Sequence, residues 1–180
     1  MSVRMALLAM LESGGSSHGF LLKHRYDALF PHSGELKYGQ VYSTLARLER
    51  DGLTAGVGVE KGEGADRRVY AITGEGVDEL DDWLSRASAA SGRPSELFTR
   101  VVLAIVSGRP AGEVLAVQRS AYLARMREIT TARHDGDAID RLAGDFEMAH
   151  LEADLRWVEL AGTRLAGLAA EVGPHPGVPS

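Results

Sequence analysis

Gln40, Ser43, Thr44 and Arg47 recur at the spacing of a single helix face, and that face carries no carboxylate before Asp51. A carboxamide, two hydroxyls and a guanidinium in such a row can pair with base edges and phosphates in a major groove, and nothing among them repels the phosphate backbone. Further along, Lys61, Arg67 and Arg68 put three cations around a glycine-containing turn. An ordinary amphipathic surface helix would show the same first pattern, so the elements around it decide between the two readings.

Other chemistries find little support. The chain has no Cys, which removes disulfides, thiolate metal sites and Cys nucleophiles. It has no Gly-x-Ser-x-Gly elbow, no His-Glu-x-x-His and no Walker loop. The six His residues (His18, His24, His32, His134, His150 and His175) are scattered, and His150 with Glu152 would need ligands from elsewhere to hold a metal. We therefore expect no enzyme, no metal and no cofactor. The N-terminus is apolar only as far as Leu11, too short to span a membrane, and no small-residue cleavage site follows. A cytoplasmic protein without membrane association is the expectation. The net charge of −5 counts mildly against nucleic acid. Its distribution weakens that objection: residues 1–73 carry nine Lys/Arg and eight Asp/Glu, and Glu75, Asp78, Glu79, Asp81 and Asp82 follow with no cation before residue 86.

The polar row belongs to a helix predicted from Leu36 to Leu53, with Val41, Leu45 and Leu48 on the opposite, apolar face and Gly52 as the stop. Two helices precede it. The first, Val3–Ser13, has a broad apolar face and ends at Gly14-Gly15. The second runs from about His18 to Phe30, with Ser16-Ser17 offered as its cap and Pro31 and Gly34 as its break. Two short strands follow, one alternating through Ala55, Val57 and Val59, the other through Tyr70 and Ile72, with 61–68 as the connecting turn. Three helices and a hairpin with a basic tip make a winged helix-turn-helix. Thr73 then caps a helix reaching about Ala90, whose acidic residues read as a solvated face.

The Ser- and Gly-rich stretch from Ser88 to Pro94 is the expected domain boundary, giving a winged-helix domain over 1–90 and a helical domain over 94–172, with 173–180 as a frayed tail. Helices are expected over Glu96–Val106, from Pro110 to about Arg133 and, after a turn at 135–137, from Ala138 to about Val172. The last would be about 50 Å long at 1.5 Å per residue. Its apolar residues run along its whole length, which predicts either an intrachain helical hairpin or, as two half-sites would require, a homodimer. The fold class is thus mainly α: an N-terminal winged helix-turn-helix plus a C-terminal helical dimerisation region.

One family shares this order of residues. Ala6-Leu7-Leu8, Ser17-His18-Gly19-Phe20, Tyr38-Gly39-Gln40-Val41-Tyr42-Ser43-Thr44-Leu45, Leu48-Glu49-Arg50-Asp51-Gly52-Leu53 and Asp66-Arg67-Arg68-Val69-Tyr70-Ala71-Ile72-Thr73 closely resemble the PadR family of bacterial transcriptional regulators, over the whole winged-helix part. The helical half resembles the longer subtype of that family only in being helical. The resemblance implies a homodimeric repressor that binds double-stranded DNA at an inverted repeat and is released by a small-molecule effector, aromatic, amphipathic or cationic. It also implies DNA contact by the Tyr-Gly-Gln-x-Tyr segment, hence by Tyr38, Gln40, Ser43, Thr44 and Arg47. Tyr42 lies about 100° from Val41 on the wheel, off the exposed face, where it either packs or reaches a phosphate through its hydroxyl. Arg67 and Arg68 match the wing base. With Tyr70 inward, Arg68 should take the inner side of the hairpin and Arg67 the outer; pairing of one with Asp66 or Glu63 stays open. His18 reads first as a helix-start residue. Trp83, Tyr122, Met126, Phe146 and Trp157 are candidates for an effector site, each equally readable as core. A winged helix used only to bind proteins remains the alternative to a DNA-binding one.

Overall fold

A computed structural model describes residues 2–31, 34–61, 66–87, 94–132 and 137–172. Among them are seven helices and three strands: α1 (Val3–Gly14), β1 (Ser17–His18), α2 (Gly19–Leu29), α3 (Tyr38–Arg50), β2 (Thr54–Glu60), β3 (Arg67–Ile72), α4 (Gly74–Ser85), α5 (Pro94–Val106), α6 (Ala111–Ala132) and α7 (Ala138–Val172). The expected hairpin tip at 62–65, the boundary stretch at 88–93, the 135–136 part of the turn and the tail at 173–180 lie outside the described residues.

Helix α1 is the hub. Seven consecutive residues, Met5 to Leu11, are buried, which one apolar face would not produce. A helix covered on all sides needs partners on all sides. It has them: α2, α3, α4 and β3 from the first half of the chain, and α5 from the second. Leu103 and Ala104 of α5 are fully buried, and the Phe98 ring meets the Phe30 ring edge-on at 6.3 Å. The core of the winged helix is therefore completed by a helix that lies beyond the expected boundary.

The winged part is a three-helix core with a small antiparallel sheet of order β1-β3-β2. The sequence reading has two strands. The third, β1, pairs Ser17 with Tyr70 and His18 with Val69. Ser17 is thus spent on the sheet, and the cap of α2 is His18, whose Nδ1 accepts from the Leu21 amide at 3.2 Å. The β2–β3 register slips between Gly56 and Gly58, so that Val57 is the extra residue of a bulge. The alternation expected of β2 is not observed: Thr54 is buried and everything from Ala55 to Glu60 is exposed. Helix α3 stops at Arg50, and Gly52 turns the chain at φ +77°, a left-handed conformation that a Cβ penalises. Thr73 fastens that turn to the next helix. Its hydroxyl donates to the Gly52 carbonyl at 2.7 Å and accepts from the Gly76 amide at 3.1 Å, capping α4. Helix α4 ends at Ser85, short of the expected Ala90, with Arg86 in extended backbone.

Beyond α5 the chain folds back as an α6–α7 pair, with Val114, Leu115, Tyr122 and Ile129 buried on α6 and Leu151, Val158 and Ala161 on α7. Arg109, in the α5–α6 turn, joins the two halves. Its guanidinium donates to both carboxylate oxygens of Glu12 on α1, at 2.5 and 3.1 Å, and to Asp81 on α4. No described helix is long and apolar enough to cross a membrane.

Candidate nucleic-acid interface

The polar row sits where a groove-reading face would have to be. Val41, Leu45 and Leu48 are each fully buried, which fixes the rotation of α3 and turns Tyr38, Gln40, Tyr42, Ser43 and Arg47 outward. Two side chains depart from the expected arrangement. Thr44 is buried at 6% exposure, and its hydroxyl donates to the Gln40 carbonyl at 2.7 Å. It stands three residues after Val41 and four before Leu48, on the edge of the apolar stripe, so its Cβ turns inward. Tyr42, expected off the exposed face, is 45% exposed. Its ring lies against Gly19 of α2, where an added Cβ would stand 2.7 Å from the Tyr42 Cε1. Gly19 is the bed that lets Tyr42 lie along the surface.

Ser43 Oγ donates to the Gln40 carbonyl at 3.1 Å, which leaves the oxygen's lone pairs to accept from outside. Arg47 donates from Nε to the Ser43 carbonyl at 3.1 Å and meets no carboxylate among the described residues. Its charge is therefore uncompensated. Beside it opens a hollow of about 270 Å³ lined by Ser2, Val3, Arg4, Gln40, Thr44 and Arg47. Two guanidiniums, a carboxamide and the positive end of α1 converge there, an arrangement suited to a phosphate. Arg4 is partly engaged, donating to Asp51 Oδ2 at 2.8 Å. Hydrogen bonds from Arg4 and then Arg50 hold the Asp51 carboxyl below its ordinary range.

The wing cations divide. Arg68 shares a face with Tyr70, as alternation predicts, and lies 5.5 Å from its ring. Its partner is Glu49 of α3, at 2.5 Å, rather than Asp66, and the same carboxylate oxygen accepts from the Gly56 amide at 3.1 Å; Glu63 lies outside the described residues. Arg68 thus ties wing to helix and presents little net charge. Arg67 has no carboxylate partner among the described residues; its guanidinium carbon lies over the Phe20 ring, 4.6 Å from the centroid. Lys61 is exposed at the end of β2. Glu60 reaches His18 Nε2 at 3.4 Å.

Sequence reasoning passed over Phe20, Lys23, Arg4 and Glu49. Phe20 stacks on Tyr38 at 5.7 Å with the rings 13° from parallel, and meets His24 edge-on at 4.5 Å. The Lys23 ammonium stands 5.2 Å from the Tyr38 ring centre. Hydrogen bonds to Asp27 and then Glu35 push the Lys23 pKa upward and keep it charged. The early signal was the exposed apolar pair Phe20-Leu21 opening a helix, which a wheel reading assigns to the core.

The five effector candidates sit in different surroundings. Tyr122 is buried, and burial followed by the charge of Asp154 pushes its hydroxyl up to about 12. Trp83, Met126 and Trp157 are half-buried against the core, Trp83 under the Arg100 guanidinium at 4.7 Å. Phe146 is 68% exposed. A second hollow, of about 390 Å³ near the α6–α7 turn, is lined by Arg125, Glu128, Ile129, Ala132, Asp140, Ala143, Gly144 and Glu147. None of the five lines either hollow.

Residues 7–82 match the model of the transcriptional regulator PadR-like family. No curated protein matches the chain. Among solved structures, a transcriptional regulator from Clostridium thermocellum is 28% identical over 44% of this chain and 74% of its own, at a TM-score of 0.38. Bacillus subtilis PadR in complex with operator DNA is 17% identical over 92% of this chain and 98% of its own, at a TM-score of 0.44. The same Bacillus subtilis protein in complex with p-coumaric acid is 16% identical over 92% and 98%, at a TM-score of 0.41.

Proposed function

We propose that this chain, whose residues 7–82 match the PadR-like family of transcriptional regulators, is a homodimeric repressor of an inverted-repeat operator, released by a small-molecule effector. The observation that carries the DNA reading is the uncompensated Arg47 beside Gln40, on a helix whose opposite face is fully buried. Tyr38, Gln40, Tyr42, Ser43 and Arg47 would enter the major groove, while the hollow with Arg4 would seat a phosphate and fix the register. Thr44 would act through the carbonyl it holds. Lys61 and Arg67 would follow the flanking phosphates, with Arg68 bracing the wing.

The dimer reading rests on α7. Ile139, Leu142 and Phe146 fall at i, i+3 and i+7 and are 76%, 70% and 68% exposed. A stripe of that kind on a long helix fits a two-fold partner. We assign 1–90 to DNA binding, 94–172 to dimerisation and effector response, and 173–180 to a tail, with α5 acting as the shared wall between the first two. Trp83, Tyr122, Met126, Phe146 and Trp157 remain the effector candidates. A small ligand that repacks them would act on α1 through α5 and Arg109.

The protein-interaction module is favoured by one observation: Glu49 and Asp51 neutralise two of the cations nearest the helix. A gel-shift series with the DNA upstream of the chain's own gene separates the readings. Repressor binding weakens steeply with salt, since each phosphate contact steepens the log–log slope by about 0.9. An interaction module gives no salt-sensitive shift at any concentration.

A further inference from the structure

We propose that Phe20 is a positioning residue of the DNA interface, holding Arg67 of the wing and Tyr38 of α3 as one preset unit; this rests on the DNA-binding reading above. Phe20 is 38% exposed at the second position of α2 and is no part of the buried core. Its neighbours are polar or ring-bearing: the Tyr38 ring in parallel at 5.7 Å, His24 edge-on at 4.5 Å, and the Arg67 guanidinium at 4.6 Å. Tyr38 in turn carries the Lys23 ammonium at 5.2 Å and contacts His24 Nε2 through its hydroxyl at 3.4 Å. A row therefore runs from cation to ring to ring to cation, and it joins β3, α2 and the start of α3.

The wing needs such a tether. From Ala55 onward β2 is solvated, so that strand gains little from burial. Arg67 opens β3. A guanidinium held over a ring face by cation–π attraction still has hydrogen-bond donors to offer elsewhere. Arg67 then offers them to a phosphate from a fixed position, and less freedom is lost on binding than from a free arginine. Arg68, braced by Glu49, fixes the hairpin's inner side, and Phe20 fixes its outer one.

The test uses the full chain and its own upstream DNA. Phe20→Leu keeps the apolar volume but removes the flat face, and it should weaken binding about two- to fivefold, the usual range of an exposed cation–ring contact. Phe20→Tyr should bind as the wild type. Arg67→Ala should also weaken binding, and the double variant should lose less than the product of the two single losses. In the free protein, the Arg67 Nε–Hε resonance should lie upfield from the ring current and return to its ordinary position in Phe20→Leu. Unchanged affinity in Phe20→Leu, losses that multiply in the double variant, or an unshifted resonance would each overturn the proposal. A shifted resonance in a wild-type chain that binds no DNA would overturn the functional reading and the positioning role together, while leaving the contact itself established.

Discussion

Helices α3 and α7 are both amphipathic, yet they end differently. On α3 the apolar residues Val41, Leu45 and Leu48 have no exposure at all, and the polar face is what meets solvent. On α7 the apolar residues Ile139, Leu142 and Phe146 are themselves more than two-thirds exposed. The partner of α3's stripe is inside the same chain, so packing settles which side faces outward and what chemistry it shows. The stripe of α7 has no such cover among the described residues, although burying one such side chain is worth about 1.5–3 kcal/mol. The contrast separates two meanings of a periodic pattern. On α3 it reports an orientation, and on α7 it leaves three apolar side chains facing solvent.

The largest expected effect comes from breaking the α7 side. Leu142→Asp with Phe146→Asp should give a monomer in sedimentation and lower operator affinity by about a hundredfold or more, the scale on which linked binding exceeds single-site binding. A variant that stays dimeric would remove these residues from the interface. On the α3 side, Leu48→Ala should cost about 2–5 kcal/mol in denaturant unfolding, because the site is fully enclosed. The same truncation at the exposed Leu142 should cost far less in a monomeric background.

Arg47→Ala should cost about 1–3 kcal/mol of operator affinity with dimerisation intact, measured by titration calorimetry at fixed salt. A full-strength complex would take Arg47 off the contact surface. Gln40→Ala should relax preference at one base position in a binding-site selection; a uniform loss across sequences would assign it to phosphate instead. The smallest effect is alkaline. Burial raises the Tyr122 hydroxyl from its ordinary value of 10 to about 12, so its folded form resists ionisation. Its contribution to stability is complete below pH 10 and is lost as pH climbs towards 12. Tyr122→Phe should flatten the unfolding midpoint across that window, and an equally steep decline in the variant would deny Tyr122 the role.

Much of this was legible in the residues. The α3 stop at Gly52, the Thr73 cap and the extent of α7 follow from local patterns, because turn chemistry and long periodicity act within a few residues of chain. What escaped depends on distance. Strand β1 is two residues long and exists only because Tyr70 and Val69 come alongside it. Thr44 lies on the border between two faces, where a wheel cannot decide. The Glu49–Arg68 pair spans 19 residues and the Arg109–Glu12 pair 97, and nothing local in either segment announces the other. The covering of α1 by α5 was hidden in the same way, since an all-round apolar helix gives no hint of how many partners surround it.

Hydroxyl-radical footprinting of the wild-type chain on its own upstream DNA puts the central idea most directly at risk. Two protected patches related by a dyad, with centres about 34 Å or one helical turn apart, both lost in the α7 double variant, are the predicted result. A single unpaired patch, or no protection even at low salt, would contradict it.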